Sequence, residues 1–181
     1  MVGTSFGAEV GILLAASHPA RVRSLTLITA AERISGEVWL GAQPLRDACQ
    51  NAARGGDGGV LLDLLIPGTF SAAYLEANAD AILLRRQQFA AMPRAWFEGL
   101  DLLLASLQNL DLRPVLGRLA CPTLVIGAER DLTFPADHSR ALAAGIPGAR
   151  LEIVKGSGHA LVAEQPDHVL ELLHSFLPLA A

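Results

Sequence analysis

Gly3-Thr4-Ser5-Phe6-Gly7 constrains this chain more than any other stretch. It reads G-x-S-x-G and runs at once into a helix-like segment, Phe6 to Ser17. A serine in that setting sits on a sharp turn between a strand and a helix. The turn strains the backbone at Ser5, and glycine at positions 3 and 7 is expected to remove Cβ atoms that would clash. The helix behind it offers free N–H groups and a positive dipole end, both favourable to developing negative charge. Only four residues precede Ser5 to form the strand. Taken alone, the motif also fits a plain glycine-rich loop leading into a helix, so the downstream residues decide.

The opening helix is expected to end at His18-Pro19, because proline disfavours helix in the residue before it. Ser24 to Thr29 is short, β-branched and apolar and reads as a strand. From there the pattern changes. Val38 to Ala53, Gly59 to Leu65, Ala72 to Ala91 and Pro93 to Leu110 read as helices, with Ser71 as an N-cap and Pro93 at a helix start. Gly55 to Gly59 and Ile66-Pro67-Gly68 punctuate them. Strand character returns at Cys121 to Ala128 and again at Ala149 to Val154. A helix from about Ala136 to Ala144 lies between them, and Pro166 to Leu177 closes the chain as an amphipathic helix. Strands alternating with helices imply an α/β fold with a parallel sheet. Residues 1–31 and 112–181 form that layer, and 32–111 is a helical insertion.

In such sheets chemistry gathers at the carboxyl ends of the strands. Glu129-Arg130-Asp131 follows one strand, and Gly156-Ser157-Gly158-His159 follows the next. A serine hydroxyl needs a base to take its proton. An imidazole does so near neutral pH, and a carboxylate holds that imidazole in the right tautomer. Ser5, His159 and Asp131 are therefore the candidate catalytic set. Glu129 stands as a rival acid two positions away, and Asp131 and His159 each also suit a simple turn. Asp137, His138, Asp167, His168 and His174 read as helix-surface residues.

Composition narrows the setting. The net charge is −4 with no long basic run, which argues against nucleic acid and anionic membrane. No apolar run reaches the ~18 residues of a membrane span. Val10 to Ala16 is apolar, but Glu9 stands where a signal peptide would be basic, so the stretch reads as a buried helix. Cys49 and Cys121 lie far apart in unlike contexts and read as reduced thiols of a cytoplasmic protein. Hydrophobic residues make up 51% of the chain. That excess suits a strongly buried sheet or a surface that meets another.

Together these segments resemble the α/β-hydrolase fold family, whose sheet carries its triad in the chain order Ser…Asp…His. The resemblance runs over Val2 to Gly7, His18 to Leu25, Cys121 to Asp131 and Gly156 to His159, continuing to Glu164-Gln165-Pro166. It implies Ser5 as nucleophile, His159 as general base, Asp131 as its orienting acid, and the Phe6 N–H as a donor to the oxyanion. The insertion resembles the helical cap of enol-lactonases, C–C bond hydrolases and small-ester hydrolases. One departure stands out. The strands that family members place before the elbow are missing, and with them the loop that supplies a second oxyanion donor. Losing one such donor typically costs ~10²–10³ in rate. An upstream start, a fragment, or a second chain supplying the missing part each accounts for this.

The resemblance implies a serine hydrolase acting on a small, largely apolar ester, lactone or activated ketone through an acyl-serine. A serine nucleophile sets it apart from the family's dehalogenases, which use a carboxylate. Trp39, Phe70, Tyr74, Phe89, Trp96 and Phe97 lie in the insertion; most read as its core, Trp39 and Trp96 are the ones expected to face the substrate, and no cofactor or metal is expected. The alternative is a non-catalytic partial domain that forms a homo-oligomer through its open sheet edge, since an unpaired apolar edge is a template for association.

Overall fold

A computed structural model describes residues 1–177. Positions 178–181 of the expected sheet segment lie outside the described residues. Contacts divide the chain into two units: Met1–Arg33 with the segment from Asp111 on, and Ile34–Leu110.

In the first unit, β1 (Val2–Thr4) leads through Ser5 into α1 (Phe6–Ser17), which His18 terminates before Pro19. β2 (Leu25–Ile28), α7 (Arg113–Leu116), β3 (Thr123–Ala128), α8 (Ala136–Gly145), β4 (Arg150–Val154), α9 (Leu161–Glu164) and α10 (Pro166–Phe176) complete it. The four strands are parallel, in the order β1-β2-β3-β4. The expectation that the strands before the elbow are missing is corrected for the last of them: β1 is present, although three residues are too few to show a period. It pairs Val2 with Thr26 and Thr4 with Ile28. Its other edge has no strand beside it among the described residues, and Met1 and Val2 are exposed there.

Alternation along the strands sends successive side chains to opposite faces. Ile28, Leu124, Ile126, Ala128 and Val154 pack against Leu161, Val169 and Leu172 of the last two helices. On the other face Gly11 of α1 lies over Leu25, and Gly127 lies under Ser139 of α8. β2 and β3 are buried throughout, so they read as continuous apolar runs rather than alternating ones. Because all strands point the same way, Ser5, Thr29, Glu129 and Lys155 leave the sheet at one edge.

Glu9 breaks the apolar character of the buried side of α1. It is 2% exposed, and neither carboxyl oxygen has a hydrogen-bond partner. Burial pushes its pKa from the ordinary 4.5 up to about 7. The folded state thus keeps a proton that the unfolded chain loses near pH 4.5. Stability is complete below that pH and falls as pH rises toward 7, by about 3 kcal/mol in total. Urea unfolding at pH 5 and pH 8 is expected to show this loss, and Glu9→Gln is expected to remove most of the difference. A variant that keeps the wild-type pH slope contradicts this reading of Glu9.

The second unit holds α2 (Gly36–Ala53), α3 (Gly59–Thr69), α4 (Ala72–Ala77), α5 (Ala79–Ala90) and α6 (Arg94–Ser106). Ala48, Cys49, Ala52, Leu61 and Phe97 form its core, and the Arg46–Asp101 ion pair at 2.7 Å ties α2 to α6. The caps expected from sequence are present: the Ser71 hydroxyl accepts from the Tyr74 N–H, and Pro93 precedes α6. Two expectations are corrected. α3 does not break at Ile66 but carries Pro67 inside its last turn, where proline removes a single intrahelical bond. The expected helix Ala72 to Ala91 is two helices, because the Asn78 side chain donates to the Tyr74 carbonyl and competes with the helical ladder. Cys49 and Cys121 are both free. No helix among the described residues is long and apolar enough to cross a membrane.

Candidate active site

Ser5 occupies the turn between β1 and α1 with φ 49° and ψ −127°, a conformation that costs a non-glycine residue of order 1–3 kcal/mol. Its neighbours enforce it. The Ser5 N–H donates to the Ile28 carbonyl at 2.8 Å, and its carbonyl accepts from the Ala8 N–H at 2.8 Å. Gly3 is required by close approach: a Cβ there would stand 2.6 Å from the Ala8 nitrogen and collide with the Gly7 carbonyl. Gly7 is not required in that way, since a Cβ on it would meet nothing within 4 Å. The expectation of a clash at both glycines is corrected to one. Phe6 is the first residue of α1, so its N–H has no intrahelical acceptor and points off the helix N-terminus.

Asp131 leaves the end of β3 with a side chain that is 0% exposed. One carboxylate oxygen accepts from the backbone N–H groups of Thr133 (2.9 Å) and Phe134 (2.8 Å). The other lies 2.8 Å from His159 Nδ1. An ionised carboxylate only accepts, so Nδ1 carries the proton and Nε2 presents its lone pair. That lone pair faces Ser5 Oγ at 3.0 Å. Hydroxyl, imidazole and carboxylate thus form one continuous hydrogen-bonded line across three strand ends.

Glu129, the rival acid, has another task. It accepts from the Gly156 N–H at 3.0 Å and so holds the loop that carries His159. Glu164 accepts from the Gly158 N–H at 3.0 Å, Gln165 donates to the Lys155 carbonyl, and the Arg130 N–H donates to the Ser157 carbonyl. The loop is pinned at four successive positions, and Gly156 within it adopts φ 72°, which favours glycine.

His138 is also corrected. Its place near the start of α8 reads as helix surface, yet its Nδ1 lies 2.7 Å from the Glu32 carboxylate, with the two side chains 17% and 10% exposed. Glu32 sits just past β2, where a polar residue after an apolar run signals only the strand's end. No local pattern connects positions 106 apart.

Trp39 and Trp96 belong to the helical unit, on α2 and α6. Arg46 lies over the Trp39 ring at 5.6 Å, and Trp96 packs edge-on against Phe89 and Phe97. Among the described residues no group of His, Cys, Asp and Glu has the makings of a metal site.

A family model described as alpha/beta hydrolase fold matches residues 1–166. The pimeloyl-[acyl-carrier protein] methyl ester esterase of Xanthomonas campestris is 32% identical over 97% of this chain, which covers 69% of that protein. Among solved structures, the enol-lactonase of Burkholderia xenovorans aligns over 97% of this chain and 64% of its own, with 28% identity and a TM-score of 0.79. The α/β hydrolase MGS-M2, from a deep-sea metagenome library, shares the fold with a TM-score of 0.87 at 22% identity, covering 99% of this chain and 66% of its own. The chain spans 69% of the length of that methyl ester esterase and 54% of that of the monoacylglycerol lipase abhd6-A of Xenopus laevis, another curated relative.

Proposed function

The chain belongs to the α/β-hydrolase fold family, and from that premise we propose that it is the part of a serine hydrolase that carries Ser5, Asp131 and His159 as its catalytic triad. The observation that carries this reading is the line of contacts from Asp131 through His159 to Ser5 Oγ, at 2.8 and 3.0 Å. In this reading Ser5 Oγ attacks an acyl carbon while Nε2 of His159 takes its proton. Asp131 stabilises the imidazolium that forms, and the imidazolium then protonates the leaving group. The Phe6 N–H donates to the oxyanion at the helix N-terminus, where the dipole is favourable. A water activated by the same imidazole releases the acid and frees the serine.

We assign the substrate to small, largely apolar esters, lactones or activated ketones. Support comes from relatives named for methyl ester and enol-lactone hydrolysis. The test is rapid mixing with p-nitrophenyl acetate. A burst of nitrophenolate approaching one per chain, with the acetyl group mapped to the Ser5 peptide, is the expected result. Turnover of the ester with no acyl group on Ser5 contradicts the proposal, as does a complete lack of turnover.

A further inference from the structure

Two imidazole–carboxylate pairs with both side chains largely buried lie within the same unit, and the catalytic reading uses one of them; a third, His168–Glu171, is exposed on α10. The other of the two, Glu32–His138, is separated from His159 by a single side chain. Phe134 is 5% exposed and stands edge-on to both rings, 5.3 Å from His159 at 83° and 5.9 Å from His138 at 67°. We propose that Glu32 and His138 are positioning residues that act through Phe134 to hold the His159 ring in line with Ser5 and Asp131.

The His159 ring keeps one freedom that its hydrogen bond to Asp131 does not remove. The hydrogen bond to Asp131 fixes the distance of Nδ1 but leaves the ring able to swing about that contact. A swing moves Nε2, the atom that must meet Ser5 Oγ. Packing against the flank of the ring removes the freedom, and Phe134 supplies that flank. Phe134 is itself held at its backbone, where its N–H donates to Asp131 at 2.8 Å. Its ring needs a second support, and His138 provides it. Glu32 fixes His138 in turn, and Glu32 is a rigid post. Its carbonyl accepts from the Leu112 N–H at 2.8 Å, beside the antiparallel bridge between Arg33 and Asp111. The His138 N–H donates to the Pro135 carbonyl, so its ring projects from the first turn of α8. The partly buried 2.7 Å hydrogen bond between the Glu32 carboxylate and His138 Nδ1 fixes the direction of the His138 ring.

This inference rests on the proposed hydrolase reading, so its test includes a readout independent of turnover. In ester hydrolysis, Glu32→Ala is expected to lower kcat about tenfold with KM within about twofold, since misplacement of a catalytic group by 1 Å costs up to about 10². Glu32→Gln keeps an oxygen acceptor for Nδ1–H and is expected to restore kcat to within about twofold. Phe134→Leu is expected to lower kcat by a similar factor. Combined with Glu32→Ala it is expected to add little, because both break one link. His138→Leu supplies the same reading should Glu32→Ala fail to fold. Independently of any substrate, the hydrogen-bonded Nδ1 proton of His159, followed by NMR, is expected to shift or broaden in Glu32→Ala and to return in Glu32→Gln. A wild-type kcat in folded Glu32→Ala, full additivity with Phe134→Leu, or an unmoved His159 proton overturns the proposal. If the wild type turns over no ester yet its His159 proton responds to Glu32→Ala, the hydrolase reading fails and the positioning link stands.

Discussion

Replacing Ser5 by alanine is expected to lower kcat for a short-chain ester by about 10⁴-fold or more, with folding unaffected. The side chain is only partly buried and its hydroxyl bonds one partner, His159, so little packing is lost. What disappears is the atom that forms the covalent bond. The imidazole then has no proton to take, and the Phe6 N–H retains only its hold on the carbonyl oxygen. KM is expected to change little, since the hydroxyl contributes more to the transition state than to ground-state binding. His159→Ala is expected to cost a similar factor, and the double variant no more than either alone, because the residues act as one unit. A Ser5→Ala variant with a tenth of wild-type activity contradicts the account.

Gly3→Val is expected to have the second largest effect, and it acts on the backbone. Any Cβ at position 3 meets the Gly7 carbonyl group and the Ala8 nitrogen, with Gly7 C and Ala8 N both at 2.6 Å. These are main-chain atoms in the first turn of α1, so no side chain can move aside. The turn must open, which breaks the Ala8 N–H bond to the Ser5 carbonyl and displaces Ser5 from its strained conformation. The expected cost is about 3 kcal/mol or more in stability, read as a lowered urea midpoint, together with loss of esterase activity. Gly7→Ala is the contrasting control. Its Cβ enters open space, and stability close to wild type is expected. Equal damage from the two substitutions contradicts this description of the elbow.

Much of the site was legible because its residues follow strands. Thr123–Ala128 is an apolar run and Arg150–Val154 alternates charged with apolar residues before Val154, both strand-like, and Asp131 and His159 stand a few residues past their ends. The residues alone left Glu129 as a rival to Asp131, and only the family resemblance implied Asp131. Both follow β3, and the backbone decides by turning one carboxylate into the Thr133 and Phe134 N–H groups and the other toward Gly156. The pairing of Glu32 with His138 was hidden for another reason. Sequence periodicity reports which face of an element a residue occupies, not which distant residue meets it. β1 follows from the turn at Ser5 rather than from any pattern of its own, since three residues carry no alternation, and its pairing with β2 is what makes it a strand. In the helical unit the pattern gave the helices but not their joints. Asn78 interrupts a helix through its side chain, whereas Pro67, the stronger breaker on paper, is carried inside one.

Covalent labelling with a fluorophosphonate, followed by peptide mapping, tests the central claim most directly, because the reagent reports serine nucleophilicity whatever the natural substrate. The account predicts one adduct per chain, on Ser5, formed at least about 10²-fold more slowly in His159→Ala, in line with the contribution of a general base. An adduct on a different residue, or labelling of Ser5 at the same rate without His159, would contradict it.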